Sequence, residues 1–305
     1  MANMKVFKIT IYFALLIKSI FSQTYEETNL NNWSCSSGRR QSPVSLKTWN
    51  STYTSNFSLV YDNYKSLDNV VVTFQNDVLE IDTKASLLSG THDLGYIVFD
   101  HGGYYYKFNL EKIVIHVPAE HEVDGYTPDI EVLYYHKKDL DYDPSINQYK
   151  KLPDISEYLI ISTLYAVNGT ESDGNVLDNL RQYYFATGVT INSFGMNLDI
   201  IPSGLIRDNK FYLYKGSDSL YPCDETHIRY VVADIYKINQ ETVEFYRNAY
   251  ASKFEGSRFA KSLAELNGRT VYRNFYANAT EVNSSLFMKV NMLATFALII
   301  FFFFN

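Results

Sequence analysis

Short apolar stretches with the composition of β-strands dominate the hydrophobic pattern of this chain. They are rich in β-branched and aromatic residues, which are enriched in strands. The pairs Gly102–Gly103 and Asp124–Gly125 predict two of the turns between them. The five clearest predicted strands are Val70–Leu79, Tyr104–Val117, Ile130–Tyr135, Tyr158–Val167 and Arg229–Tyr236.

Helical periodicity is scarcer, and it predicts two helices, Gly174–Tyr184 and Gln240–Tyr250. No repeat, linker or sharp change of composition divides residues 23–277, so we predict one domain over that range. A large sheet with a few helices at its periphery places this domain in the mainly β or α+β class.

The N-terminal residues carry the pattern of an export signal. Lys5 and Lys8 precede an apolar run over residues 9–16, and small residues follow it up to Ser22. We therefore predict a signal peptide over residues 1–22. A membrane anchor is the alternative, but the apolar run is shorter than the roughly 20 residues that cross a bilayer as a helix.

A second apolar segment covers residues 292–304, and no basic residue follows it. The small residues Asn283, Ser284 and Ser285 precede it, which is the order of a GPI-attachment signal. We predict that residues 278–305 form this signal, with a short hydrophobic tail anchor as the alternative. Both ends together predict the secretory pathway and the outer face of the plasma membrane.

The chain has two cysteines, Cys35 and Cys223, and an exported chain folds in an oxidising compartment. An even pair in an exported chain usually forms a disulfide bond, and two buried thiols are the alternative. Six asparagines begin N-glycosylation sequons and predict a glycoprotein. They are Asn32, Asn50, Asn56, Asn168, Asn278 and Asn283.

Composition and charge argue against two classes of protein. With 46% hydrophobic and 20% charged residues, the chain is ordinary for a globular protein, which argues against disorder. A formal net charge of −7 and the lack of a basic patch make the chain a poor partner for nucleic acid.

Five segments, in order along the chain, resemble the α-carbonic anhydrase family. Their most characteristic parts are Gln41-Ser42-Pro43, His116 with Glu120-His121, Glu131 with His136, Tyr214 to Cys223, and Leu266-Asn267-Gly268-Arg269. The resemblance implies the α-carbonic anhydrase fold, a large central, twisted, mostly antiparallel sheet with peripheral helices. It also places Cys35 and Cys223 where secreted members of the family carry their disulfide bond.

The family's reaction is the hydration of CO2 at a zinc ion held by three histidines, so the resemblance also implies a site. The matching positions here are Val114, His116 and Leu133. Valine and leucine have no lone pair to donate, and a catalytic zinc site has three protein ligands. We therefore expect no bound zinc, and His116 as a buried, hydrogen-bonded histidine in an apolar pocket.

The resemblance implies roles for five further residues. Glu120 and Ser219 match a glutamate–threonine pair that orients the zinc-bound hydroxide. His121 and His136 match structural histidines behind the site, and Glu131 matches a glutamate that orients a zinc ligand.

Other positions depart from the family pattern, mostly towards apolar side chains. They are Leu220 in place of a second threonine, Tyr135 at the CO2 pocket, Arg229 in place of a tryptophan, and Val78 at the proton-shuttle histidine. Apolar side chains at and around the ligand positions fill the volume of a lost metal site and avoid stranded polar groups.

The sequence thus predicts a catalytically inactive, carbonic-anhydrase-like surface protein, a pseudoenzyme that needs no cofactor. Its expected partners are an extracellular protein or glycan, and the membrane through a lipid anchor. An active carbonic anhydrase is the alternative, with zinc held by ligands that a changed strand register recruits. A structural coat protein, valued for abundance and stability, is a third hypothesis.

Overall fold

The computed structural model describes the chain in several stretches. They are residues 38–62, 66–67, 71–75, 78–83, 96–101, 104–141, 156–170, 172, 176–181, 196–197, 210–220, 222–253 and 260–276. Several sequence predictions fall outside them and stay predictions. These are the signal peptide (1–22), the C-terminal signal (278–305), the Gly102–Gly103 turn, Cys35, Asn32, Asn278 and Asn283.

Most of the described strands join one large mixed sheet of 11 strands. From edge to edge its main path is β2 (Thr52–Tyr53), β15 (Tyr272–Arg273), β13 (Phe211–Gly216), β14 (His227–Ile238), β11 (Tyr158–Val167), β10 (Ile130–Lys138), β8 (Tyr104–His116), β6 (Val78–Asp82) and β5 (Val71–Gln75). Beside that path, β7 (Tyr96–His101) pairs with β8 and with β3 (Phe57–Asp62). Neighbouring strands are antiparallel, except that β11 with β14 and β15 with β2 run parallel.

Short elements accompany this sheet. β1 (Ser45–Leu46) pairs in parallel with β9 (Glu122–Val123), and β4 (Ser66–Leu67) pairs with β12 (Met196–Asn197). The described helical segments are a 3-10 turn over Thr48–Asn50, α1 (Val176–Leu180) and α2 (Gln240–Lys253). Within the stretches given above, no helix has the length and apolar character needed to cross a membrane.

The predicted class, a large and mostly antiparallel sheet with peripheral helices, is confirmed. Four predicted strands correspond to β8, β10, β11 and β14, and the second predicted helix corresponds to α2. Within the first predicted helix, Gly174–Tyr184, the structure describes residues 176–181, which contain helix α1. The predicted Asp124–Gly125 turn is also present, and both residues have positive φ, 50° and 89°.

The prediction of a single strand over Val70–Leu79 is wrong. The structure forms two strands there, β5 and β6, which run antiparallel with Gln75 opposite Val78. Apolar residues continue through both strands, so composition alone does not mark the reversal. Asn76 and Asp77 between them are turn-forming residues and are the signal for it.

The central strands are buried on both faces, and alternate residues along each strand belong to different cores. Ile113, Ile115 and Val132 join the main core, which also includes the buried side of α2. Val114 and Leu133, their neighbours in the chain, join a separate cluster on the other face. This period-two alternation of side chains decides which residues meet at the predicted site.

Helix α2 is capped at its N-terminus and packed against the sheet. The Asn239 side chain accepts the backbone N–H of Thr242 at 2.8 Å, which satisfies one of the free donors of the first turn. Val243, Tyr246 and Tyr250 are spaced to share one face of the helix, and all three are buried in the main core.

The hydroxyl of Tyr250 ties α2 to the sheet. It accepts the Leu79 N–H at 2.9 Å and donates to the carbonyl of Ile115. Tyr250→Phe removes this partner from two buried backbone groups, so we expect the free energy of unfolding to fall by about 1–3 kcal/mol in urea denaturation. The control is Tyr126→Phe, at a residue 49% exposed, which should change it by less than about 0.5 kcal/mol. Equal effects of the two substitutions would contradict this role.

Candidate functional site

The predicted ligand positions lie together on the face of the sheet that points away from the main core. Val114 of β8 and Leu133 of β10 are directly opposite each other, and His116 lies two residues further along β8, opposite Glu131. All three side chains are buried, and His116 is only 2% exposed. The alternation of side chains along β8 therefore brings these positions to one place.

Apolar side chains surround Val114 and Leu133. They form one buried cluster with Val78, Tyr135, Ile160 and Leu220. The Tyr135 hydroxyl donates to Oδ1 of Asp218 at 2.8 Å, so the one polar side-chain atom of this cluster has a hydrogen-bond partner. The positions at which the resemblance implies a CO2 pocket and a proton shuttle are thus part of an apolar core.

His116 differs from its prediction. It is buried, but neither ring nitrogen has a hydrogen-bond partner among the described residues. The nearest acid is Glu120, whose Oε1 lies 3.5 Å from Nδ1 of His116. The side chains of Val114 and Leu133 on the same face cannot accept or donate a hydrogen bond, which explains why the imidazole lacks the predicted partner.

Glu131 is the centre of a buried polar network. Its Oε2 accepts the backbone N–H groups of Glu120 and His121 at 3.0 Å each. Its Oε1 lies 2.6 Å from Nδ1 of His121, whose Nε2 lies 2.7 Å from the Tyr214 hydroxyl. Burial alone raises the pKa of Glu131, but the charge and hydrogen bonds of His121, together with Arg229, outweigh burial and hold that pKa far below its usual value.

Glu120 and Ser219, which match a glutamate–threonine pair of the family, each have another partner in the structure. Oε1 of Glu120 accepts the backbone N–H of Lys261 at 3.1 Å, and its Oε2 has no hydrogen-bond partner in the part of the chain that the structure describes. The Ser219 hydroxyl accepts a hydrogen bond from Nη1 of Arg229 at 3.2 Å.

Arg229 is the largest polar group in this region, and the sequence predicted no role for it. Its side chain is fully buried. Burial alone lowers its pKa, but the neighbouring tyrosines and the carboxylates of Glu131 and Glu120 raise it by more, so the guanidinium stays charged. A single arginine inside the apolar strand β14 is the sequence signal that marks it.

Lys261 was also missed, because no motif surrounds it. Its ammonium group donates to Oε1 of Gln41 at 3.1 Å and lies 3.3 Å from Sγ of Cys223. Burial lowers the pKa of Lys261 to about 8, although Glu120 and other acids partly oppose this shift.

Two of the resembling segments meet beside the site although they are far apart in the chain. The backbone N–H of Ser42 donates to Oγ of Ser217 at 2.9 Å, and the N–H of Ser217 donates to Oγ of Ser42 at 3.1 Å. Nε2 of Gln41 donates to the carbonyl of Cys223 at 3.2 Å. The Gln-Ser-Pro segment thereby joins the chain that follows β13.

His227 and three of the sequon asparagines have other surroundings. His227 stacks on Tyr158 at 4.9 Å between ring centres, and its Nδ1 lies 2.9 Å from the carbonyl of Asp224. Asn50, Asn56 and Asn168 are all exposed, as a glycosylation site requires. Glycosylation at these positions stays a prediction, as does the pairing of Cys35 with the buried Cys223.

His136 is held in a buried, apolar setting. Its Nδ1 lies 2.9 Å from the carbonyl oxygen of Tyr134. Burial lowers its pKa from 6.5 to about 3, although hydrogen bonds to the backbone partly oppose this shift. Below pH 6.5 the imidazole of the unfolded chain therefore binds a proton, whereas the folded chain binds that proton only near pH 3. This stabilising contribution is complete above pH 6.5 and is lost as the pH falls through that window.

We expect His136→Gln to flatten the pH dependence of the free energy of unfolding between about pH 6 and pH 4. The wild-type slope should exceed that of the variant by up to about 1.4 kcal/mol per pH unit. Urea denaturation at a series of pH values measures both slopes. His101→Gln, at an exposed residue on β7, is the matched control and should keep the wild-type slope. A slope unchanged by His136→Gln would show that this imidazole is not held neutral.

Comparisons with known proteins agree with this fold. The chain is 25% identical over 245 residues to alpha carbonic anhydrase 4 of Arabidopsis thaliana, covering 78% of this chain and 76% of that protein. Among solved structures, the α-carbonic anhydrase of Photobacterium profundum matches with a TM-score of 0.60 at 18% identity, covering 81% of this chain and 95% of the other. Dioscorin, solved in complex with ascorbate, matches with a TM-score of 0.60 at 20% identity, covering 81% and 90%.

The family model of the eukaryotic-type carbonic anhydrases matches residues 26–275, which include every described strand and helix. The large mixed sheet and the sequence match agree, and the chain therefore belongs to the α-type carbonic anhydrase family.

Proposed function

We propose that this chain is a catalytically inactive member of its family, which serves at the cell surface as a binding or structural protein without a metal. The observation that carries this proposal is the direct pairing of Val114 with Leu133 beside His116. Catalysis by zinc needs three protein ligands and an open position for water, and these residues offer one imidazole.

The donor set of the site does not fit zinc. No group of three or more histidine, cysteine, aspartate or glutamate side chains is arranged to hold a metal ion anywhere in the described ranges. Val114 and Leu133 are also packed among other apolar side chains, so the volume of a metal and its water is filled. The described residues therefore support no reaction that depends on a bound metal.

The alternative of an active enzyme requires a changed strand register. Leu133 pairs with Val114 inside a ladder that holds the same register from Glu131 to Tyr135. A shift by one residue would turn Ile115 and Val132 of the main core into the site. The burial of both residues in that core favours the inactive reading.

The proposed location rests on the chain ends and on the sequons. A cleaved signal peptide and a GPI anchor attached near residue 278 would leave the domain facing outwards. The exposure of Asn50, Asn56 and Asn168 supports N-glycans on that domain. An extracellular protein or a glycan is the partner that this location favours, and a disulfide bond between Cys35 and Cys223 suits the same compartment.

Metal analysis and a hydration assay test the inactive state. The mature protein, purified from a eukaryotic secretory host, should contain well under 0.1 zinc per chain, since weak single-imidazole sites lose metal on purification. Its rate of CO2 hydration should equal that of buffer. A known α-carbonic anhydrase prepared in parallel is the positive control. Stoichiometric zinc with turnover would refute the proposal.

The lipid anchor is tested separately on intact cells. Phosphatidylinositol-specific phospholipase should release the protein into the medium, because only the lipid would hold it. A variant that lacks residues 278–305 should be secreted without treatment and serves as the control. Retention on membranes after treatment would favour the tail anchor, and absence from the surface would contradict export.

A further inference from the structure

We propose that Arg229 replaces the metal as the resident cation of this site, and that its charge now opposes the binding of a divalent ion. This inference rests on the metal-free state proposed above and goes beyond it, because it names the group that took over the role. It also implies that restoring the missing histidines alone does not restore zinc binding.

The position of the guanidinium supports this assignment. Arg229 lies in register with Ile160, and Ile160 with Tyr135 of β10. Glu131 is four positions from Tyr135 on the same strand, yet its Oε1 lies only 4.0 Å from Nη2 of Arg229. The two side chains therefore extend towards each other past the position of Leu133, which lies between Glu131 and Tyr135 on β10.

The other end of the guanidinium approaches a second position implied by the family resemblance. Its Nη1 donates to Oγ of Ser219 at 3.2 Å and to the carbonyl of Ser217 at 3.4 Å. Glu131 and Ser219 match residues that flank the metal and its hydroxide in the family. The guanidinium of Arg229 thus approaches both the residue matched to the ligand-orienting glutamate and the residue matched to the hydroxide-orienting threonine.

The acids of the site require a cation. Glu131 has no exposed surface, and Glu120 is 5% exposed. A buried carboxylate without a compensating charge is strongly destabilising. In a zinc enzyme the metal contributes positive charge at this place, whereas here the fully buried Arg229 adds its charge to the contribution of His121 beside Glu131, and Lys261 lies near Glu120.

The hydrogen-bond pattern indicates that Arg229 acts mainly through its charge. Its Nε and Nη2 atoms have no hydrogen-bond partner among the described residues, and neither has Oε2 of Glu120. The contact with Glu131 at 4.0 Å is too long for a hydrogen bond. The guanidinium therefore acts on Glu131 through its charge and not through a hydrogen bond.

Zinc affinity in a rebuilt site tests this proposal. The background is the double variant Val114→His with Leu133→His, which completes the ligand set around His116. Adding Arg229→Trp should raise zinc affinity by at least about 100-fold, because a positive charge near a divalent ion in a buried site is strongly repulsive. Adding Arg229→Lys keeps the charge and should leave affinity within about threefold of the double variant.

Competition with a chelator measures these affinities, and the visible absorption of bound Co2+ reports a tetrahedral site. Equal zinc affinity with and without Arg229→Trp, whether tight or absent, overturns the proposal. If the unmodified protein itself holds zinc, the proposed function fails. If the unmodified protein is metal-free but the double variant binds zinc as tightly as the triple variant, only this inference fails.

A stability cycle provides a second test that needs no metal. Arg229→Met should lower the urea midpoint, and the loss should be clearly smaller when Glu131→Gln is already present, because one carboxylate then no longer needs a cation. Recovery of folding in the double variant, where Arg229→Met alone does not fold, also supports the proposal. An equal loss in both backgrounds, including failure of both to fold, contradicts it.

Discussion

The antiparallel register of β8 and β10 is the constraint on which the rest of the site depends. It sets Val114 against Leu133 and His116 against Glu131, and it leaves Ile113, Ile115 and Val132 to the main core. Both faces are buried, so neither set of side chains can change sides without exposing the other to the wrong environment. A site built on such a strand pair changes its chemistry only by substitution in place.

Removing metal ligands from a buried site creates an electrostatic problem that apolar packing does not solve. The cluster around Val114 fills space, but Glu131 and Glu120 stay buried beside it. Glu131 is satisfied by backbone N–H groups and by His121, which in turn contacts Tyr214. The site is therefore divided into an apolar half that excludes solvent and a polar half that balances charge.

Strand composition and family motifs were sufficient to predict the sheet, its four longest strands and the three ligand positions that meet at the site. They were insufficient wherever the outcome depends on side-chain direction or on segments distant in the chain. The reversal inside Val70–Leu79 was hidden because both strands are apolar. The contact between Lys261 and Glu120 joins residues separated by 141 positions, and no local pattern encodes it. His116 has no hydrogen bond among the described residues although Glu120 lies 3.5 Å away, and this depends on side-chain direction.

The reciprocal hydrogen bonds between Ser42 and Ser217 have a consequence for biosynthesis. The two residues are separated by 175 positions, so Ser42 leaves the ribosome long before its partner exists. At ordinary rates of translation that interval is roughly 10–35 s. During this time β8, β10 and β11 can pair with one another, but β11 lacks its other neighbour until β14 is made. Completion of this domain is therefore a late event, because the sheet continues beyond β11 only through β14 and β13.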